Sequence, residues 1–461
     1  MTREDLLRLY VSQTPVAVMV RATLENTFAP EALDRLFAQT AVRQRCGELL
    51  FSSVVELMSL VVCRSEPSIH AAYQRNQAKI GVAVQSVYNK LDGIEPQVSA
   101  ELVRHTARRL KPVIEALGGT VWEPLPGYEV RILDGNHHPA TEHRIRELRT
   151  TRAGALPGQT LVVLDARRRL IVGAFPCEDG HAQERSLLPE VLLRVEPGQV
   201  WIDDRNFCTT MFLFGIHRQG AFFVTRQHAS TLYWEPIGKR RKVGRIDSGV
   251  VYGQAVRLTN PKDRSSFEVR RITVRLDKPT RDGDTEIHIL SNLPKRVGAK
   301  RIAQAYRRRW SIETAFGELA TVLNSEVETL GYPKAALFAF CVALVSHNMI
   351  RIVRAALAAV HGEDRIEEEV SAYYLANEIA VHWGGMMVVL PPSYWTRRFA
   401  HLRPKQLAAF LREVAQAADL CKYRKHPRGP KRPPPKRSSG KKQKHVSTAR
   451  LVAQRAKTVK C

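Results

Sequence analysis

The stretch Tyr306–Leu323, YRRRWSIETAFGELATVL, sets a phenol, a guanidinium and a carboxylate at three- and four-residue spacing. On a helix of 3.6 residues per turn, Tyr306, Arg309, Glu313 and position 320 fall within roughly a 60° arc. Beside them Ala305, Ile312, Phe316, Leu319 and Leu323 make an apolar stripe suited to face a core. A carboxylate one turn beyond a guanidinium and two turns beyond a phenol suits a metal-binding acid next to a phosphate-binding base. A solvated helix with an i, i+4 Arg–Glu pair accounts for the same spacing. Further acids close strand-like runs: Asp134 ends EVRILDG, and Asp203 and Asp204 end QVWIDD before RNF. If those strands are neighbours, their terminal carboxylates approach each other, and a helix packed across them adds Glu313. Carboxylates so gathered repel unless a divalent cation neutralises them. Mg²⁺ prefers such hard oxygens and leaves positions for water and phosphate. Two such ions can clamp both oxygens of an in-line phosphoryl displacement. The chain holds 45 acids, so spacing alone does not select these.

The elements that must position them read as a mixed α/β plan. Residues 1 to about 120 carry apolar residues at three- and four-residue spacing and read as a helical N-terminal region, with Pro30 and Pro67 where helices begin. Within it, VAVQSVYNKLDGI (Val82–Ile94) fits a short helix–turn–helix with Ser86 as N-cap of a DNA-reading helix over Val87–Leu91, and fits an ordinary helical hairpin as well. Alternation sets in near Gly127. Residues 121–230 then read as strand, strand, strand, helix, strand, helix, strand, with Asp134 ending the first strand and Asp204 the fourth. Asp165 belongs to a hairpin turn. Residues 231–295 are turn-rich and strand-like, a β-rich insertion whose GKRRKVGR stretch forms a charged loop or hairpin tip. Residues 296–360 return to helix, and 361–421 read as smaller helical pieces.

Charge narrows the partner. The formal net charge is +26, and residues 422–461 hold 15 Lys or Arg with no Asp or Glu, which leaves +11 on the body. Both parts are basic, which points to a polyanion, most simply nucleic acid. The tail, with RGPKRPPPKRSSGKKQKH, reads as a disordered, non-specific tether. Seven scattered cysteines without a C-x2-C pair imply neither zinc ribbon nor disulfide framework, and Cys208 near the acids reads as a half-buried thiol. No signal peptide or lipid anchor is evident, and the apolar run Ala335–Val345 is far short of a membrane span, so a cytoplasmic, nucleoid-associated protein is expected.

Asp134 in LDGNHH, Asp204 in IDDRNF, an insertion ending SNLP, and Tyr306, Arg309 and Glu313 in YRRRWSIETAF together resemble the DDE transposases of bacterial insertion sequences. The branch is the one marked Y-x2-R-x3-E-x6-K, and the resemblance covers about residues 120–350. It implies an RNase H-like catalytic core interrupted by a β-rich insertion. It also implies Mg²⁺-dependent cleavage at insertion-sequence ends followed by strand transfer into target DNA, with Mn²⁺ able to substitute. On this resemblance Asp134, Asp204 and Glu313 are the metal-binding triad, and Tyr306 and Arg309 contact phosphate near the reacting end. Asp204 is preferred to Asp203 because D-R-x-F begins there. Arg205 and the insertion's Lys239, Arg240, Arg241 and Lys242 become DNA contacts. Trp234 is either a base-stacking platform or ordinary packing. His137 and His138 read as solvated turn histidines within reach of the first acid. The expected partners are terminal inverted repeats and target duplex, held by a homodimer on DNA. Two departures stand out: the signature lysine falls at Ala320, and Asn206 replaces a glycine two residues after Asp204. A nuclease of the same fold that cuts without joining, and a catalytically silent DNA-binding derivative, remain the alternatives.

Overall fold

A computed structural model describes residues 2–44, 47–118, 123–280, 283–426, 429 and 444–458. The alternating runs form strands β1 (Val130–His137), β2 (Gly154–Leu156), β3 (Gln159–Asp165), β4 (Leu170–Cys177), β5 (Val200–Asp203) and β6 (Phe222–Arg226). The insertion adds β7 (Tyr233–Pro236), β8 (Arg241–Ile246), β9 (Gly249–Thr259), β10 (Ser266–Leu276) and β11 (Glu286–Ser291). The order β4-β3-β1-β5-β6 has β1 antiparallel to β3 and parallel to β5, and β5 parallel to β6. This is the RNase H-like mixed sheet that the resemblance implies. Asp165 makes the β3–β4 turn: its Oδ1 accepts the N–H groups of Arg167 and Arg168 at 3.0 Å.

The pleat sorts the core onto two faces. Val130 and Ile132 of β1, Val162 and Leu164 of β3, and Val200 and Ile202 of β5 join the larger apolar cluster, which also takes in the helices Pro96–Leu117 and Pro333–His361. Leu133, Leu161, Val163 and Trp201 point the other way, into a second cluster with Leu188, Val191, Phe212 and Ile216. The helix Pro333–His361 is long and apolar enough to cross a membrane, yet 94% of its most apolar window is buried inside the protein.

The insertion is not a separate module. β11 pairs with β6 through Ile289↔Arg226, Leu290↔Thr225 and Ser291↔Val224, and the sheet runs on through β10 and β9 to β7. In the SNLP segment, Asn292 Oδ1 accepts the N–H of Phe223 at 2.8 Å and its Nδ2 donates to Ala221 O at 3.0 Å, fastening the insertion's exit to the entry of β6.

Two expectations need correction. The helical hairpin near residue 82 is Ile69–Ile80, a left-handed Gly81 and Val84–Gly93, so Ser86 lies inside the second helix and Ala83 is its N-cap. Val87 and Leu91 are fully buried, so they pack and do not read DNA; Gln85, Ser86 and Asn89 are the exposed residues. The tail is not disordered throughout either. β12 (His445–Ser447) pairs in parallel with β2, and the helix Thr448–Thr458 follows it. Val446, Leu451 and Val452 cover Ile145, Leu148 and Ala155, and Arg450 pairs with Asp179 at 2.6 Å. A short apolar motif inside a strongly basic segment is diluted by composition, which is why it reads as tether. Residues 427–428, 430–443 and 459–461 of the tail lie outside the described residues.

Candidate active site

The ladder between β1 and β5 sets Val130 opposite Val200, Arg131 opposite Trp201 and Ile132 opposite Ile202. Continued by two residues, this register puts Asp134 opposite Asp204. Period-two alternation sends both toward the face of Ile132 and Ile202, and sends Asp203 to the face of Trp201. Asp203 is fully buried and lies opposite Thr225 of β6. Burial drives its carboxyl well above the usual carboxylate range, with the nearby Asp204 and Asp134 acting in the same direction. Burial therefore favours the neutral form of Asp203, and Asp204 is the aspartate that shares a sheet face with Asp134.

The third acid arrives on a helix that differs from the one the spacing predicts. Tyr306 ends one helix, Ala299–Arg307, and Glu313 lies in the first turn of the next, Trp310–Val322. Between them the N–H groups of Arg308, Arg309, Ser311 and Ile312 each bond three residues back, so the turn is tighter than an α-helix. The tightening accompanies Arg309 being drawn to β1: its Nη1 donates to Asp134 Oδ2 at 2.5 Å and its Nη2 to Glu313 Oε1 at 2.6 Å. Tyr306 donates its hydroxyl to Asp204 Oδ1 at 3.4 Å. One guanidinium thus bridges two of the acids, and the phenol reaches the third.

Electrostatics follow from this packing. Burial raises the Asp134 carboxyl to about 6, opposed by Arg309 and the Gly135 N–H and reinforced by Glu313 and Asp204. Burial opposes charge on Arg309, but Asp134 and the other anions outweigh it and hold the guanidinium firmly protonated. Tyr306 is pushed up by burial first and then by Asp204, so it remains a hydrogen-bond donor. Hard carboxylate oxygens already gathered about a buried cation suit Mg²⁺ in kind. Their spacing leaves the set open, because among the described residues no three Asp, Glu, His or Cys are close enough to share one ion.

The remaining residues divide. Arg205 is exposed beside Asp204. Lys239, Arg241 and Lys242 are exposed around the start of β8, while Arg240 pairs with Glu286 at 2.6 Å and lies over the Tyr252 ring at 4.3 Å. Trp234 sits on β7, five strands along the sheet from β5, half-buried with Arg271 over its ring at 5.0 Å. The structure does not bring it to the acids. His137 is exposed, 3.6 Å from Glu184. His138 is buried against Phe340, with Nε2 3.0 Å from Thr160 Oγ1, and burial lowers it to about 3, so it is a neutral core residue and not a solvated one. Cys208 is fully buried.

Glu184 escapes the sequence reading. It opens the short turn Glu184–Leu187, accepts a hydrogen bond from Asn206 Nδ2, and crowds Gly135 so closely that a Cβ there would collide with Oε1 and press on Leu161. Arg185 Nε adds a bond to Asn206 O at 2.6 Å. The pair holds the loops that follow Asp134 and Asp204 in fixed relation, and Asn206, the departure from glycine, supplies the handle. Nothing in the spacing of DGHAQE marks Glu184. We expect Gly135→Ala to displace Glu184 and lower any phosphoryl-transfer rate about tenfold, with a stability cost of about 1–3 kcal/mol. Steady-state rates and thermal melts measured side by side check this.

Position 320, where the resemblance places lysine, is an exposed alanine on the helix of Glu313. Arg64, in left-handed conformation at φ 59°, donates Nη2 to Leu323 O at 3.1 Å, at the exit of that helix. We expect Ala320→Lys to tighten DNA binding and steepen its salt dependence by about one phosphate contact; an unchanged slope means that position does not meet the backbone.

With the geometry in place, the kinship is clear. Residues 125–349, the stretch that carries Asp134, Asp204 and Glu313, match the family model described as Transposase DDE domain. The chain is 31% identical over 163 residues to "Putative transposase y4zB" of Sinorhizobium fredii (strain NBRC 101917 / NGR234), a match covering 35% of this chain and 44% of that protein. The chain thus spans less than half the length of that relative. Among solved structures, one described as a cryo-EM structure of piggyBac transposase synaptic complex with hairpin DNA aligns over 86% of this chain and 84% of its own at 10% identity, with a TM-score of 0.35.

Proposed function

We propose that this protein is a cut-and-paste DNA transposase that cleaves at the terminal inverted repeats of its element and transfers the freed strand into target duplex. The reading is carried by one observation: Asp134, Asp204 and Glu313, from two adjacent strand ends and a helix, converge on the same tightened turn bearing Tyr306 and Arg309. Asp134, Asp204 and Glu313 would hold Mg²⁺, or Mn²⁺ in its place. The ion supplies Lewis-acid stabilisation of the attacking and leaving oxygens. Arg309, its charge fixed by the acids, then becomes a fork for the phosphate it lies beside. Tyr306 donates its hydroxyl toward the same side. Arg205, Lys239, Arg241 and Lys242 would track the duplex, and the lysines and arginines between 431 and 444 would add sequence-independent attraction. Action as a homodimer on DNA in the cytoplasm goes with this reading, because two ends must be joined to one target.

The test supplies DNA bearing the inverted repeats that flank the coding sequence, together with Mg²⁺, and in a second arm pre-cut ends with a target plasmid. End cleavage and plasmid insertion are expected. Cleavage without insertion would replace the transposase reading with that of a nuclease. Binding with neither reaction would make the protein a silent DNA-binding derivative.

A further inference from the structure

The residues on either side of Arg309 turn away from the acids. Arg307, Arg308 and Trp310 line a cavity of about 350 Å³, walled by the β3–β4 hairpin at Arg169 and by His347 and Arg351 of the long helix. We propose that this cavity is a phosphate site for the DNA backbone, placed on the side of the catalytic helix away from Glu313. The proposal rests on the DNA-acting reading above and adds a second strand-holding site to it.

An excess of positive side chains in the lining carries the argument. Glu367 serves three guanidiniums at once: it pairs with Arg169 and lies 3.7 Å from Arg351 and 3.3 Å from Arg354. The other carboxylate near Arg169 is Glu363 at 3.9 Å. Arg351 is 9% exposed and its Nε has no hydrogen-bond partner. Burial, with Arg354 and Arg169 adding to it, lowers its guanidinium to about 10, and Glu367 and Glu318 oppose this only in part. Glu318 also lines the cavity, 3.7 Å from His347, which burial keeps neutral with a value near 4. Arg307 pairs with Asp247 at 3.3 Å, a residue whose side chain is 91% exposed. In the cavity lining itself the guanidiniums of Arg169, Arg307, Arg308 and Arg351 outnumber the carboxylates of Glu318 and Glu367 by two, and a phosphodiester supplies negative charge in the geometry a guanidinium fork prefers.

Trp310 gives the site a reporter and a wall. Its side chain is 67% exposed, directly after Arg309, and a backbone entering the cavity would cover it. Ser311 and Thr314 add hydroxyls to the same lining. The run Arg307–Trp310 is thus split by the tightened turn: Arg309 serves the acids, and its neighbours serve the strand on the far side.

The test compares the full chain with Trp310→Phe and with Arg307→Ala/Arg308→Ala, without divalent metal so that no cleavage occurs. A short duplex of arbitrary sequence is titrated while tryptophan emission is read, and millimolar inorganic phosphate is titrated separately. The duplex should change wild-type emission but not that of Trp310→Phe. The double variant should bind about tenfold more weakly and lose about two units of salt slope. Duplex binding that leaves the Trp310 signal and the double variant's slope unchanged overturns the site. A full response to inorganic phosphate, with no further change on adding duplex, overturns it in favour of a small-anion pocket. No duplex binding by the wild type would instead bring down the DNA-acting reading itself.

Discussion

Asp134→Asn, Asp204→Asn and Glu313→Gln should each lower end cleavage by about 10³-fold or more while DNA binding stays within about twofold. Loss of one of three anionic ligands removes roughly 4 kcal/mol of transition-state charge stabilisation, and each 1.36 kcal/mol is a factor of ten. Asp203→Asn is the control that gives the set its meaning. That carboxyl is fully buried, faces Thr225 and is pushed by burial toward its neutral form, so an uncharged isostere should leave cleavage and stability close to wild type. If Asp203→Asn abolishes cleavage and Asp204→Asn does not, the face assigned to each aspartate by strand alternation is wrong. Gel-based cleavage of labelled ends, with a parallel binding measurement, separates these outcomes.

Removing Arg309 should be felt first in stability. Its side chain is 9% exposed and that of Asp134 is 18% exposed, so Arg309→Ala leaves a carboxylate with little access to solvent and no counter-charge. Breaking such a pair costs about 3 kcal/mol. The half-exposed Glu313 contributes less, because water screens it. The same change frees the acids for a divalent ion. We expect Mg²⁺ to raise the melting temperature of Arg309→Ala more than that of the wild type, since ligand binding to the folded state stabilises by about 2.7 kcal/mol at a hundredfold excess over Kd. Equal shifts in the two proteins would show that the guanidinium and the metal do not compete for one place.

These expectations depend on how far the sequence could be read. Asp134 and Asp204 were legible because strands announce themselves by alternation, and the parallel β1–β5 ladder then aligns their ends. Glu313 and Arg309 were legible as an i, i+4 pair. The break between Tyr306 and Glu313 was not, because YRRRWSIE has full helical periodicity and the turn tightens around the contact of Arg309 with a distant strand. Glu184 was hidden for a related reason: its partners, Gly135 and Asn206, are brought to it by tertiary structure. His138 looked like a turn residue because its burial comes from Phe340, two hundred residues away. The docked end of the tail was masked by the composition around it. Local pattern found the strands and the acids, and long-range contact decided which side chains were free.

The continuous sheet has a mechanical consequence. From β5, which ends beside the acids, the hydrogen-bonded order runs β6, β11, β10, β9 without a gap. Adjacent strands lie about 4.8 Å apart, so four steps span about 19 Å. A module tethered by loops could swing; this one cannot move far without tearing the β6–β11 ladder. Whatever the basic tip at Lys239–Lys242 grips is therefore held at a set span from the acids, as by the jaws of a calliper. A wrongly spaced ligand would be refused by stiffness, with no side chain needing to read it.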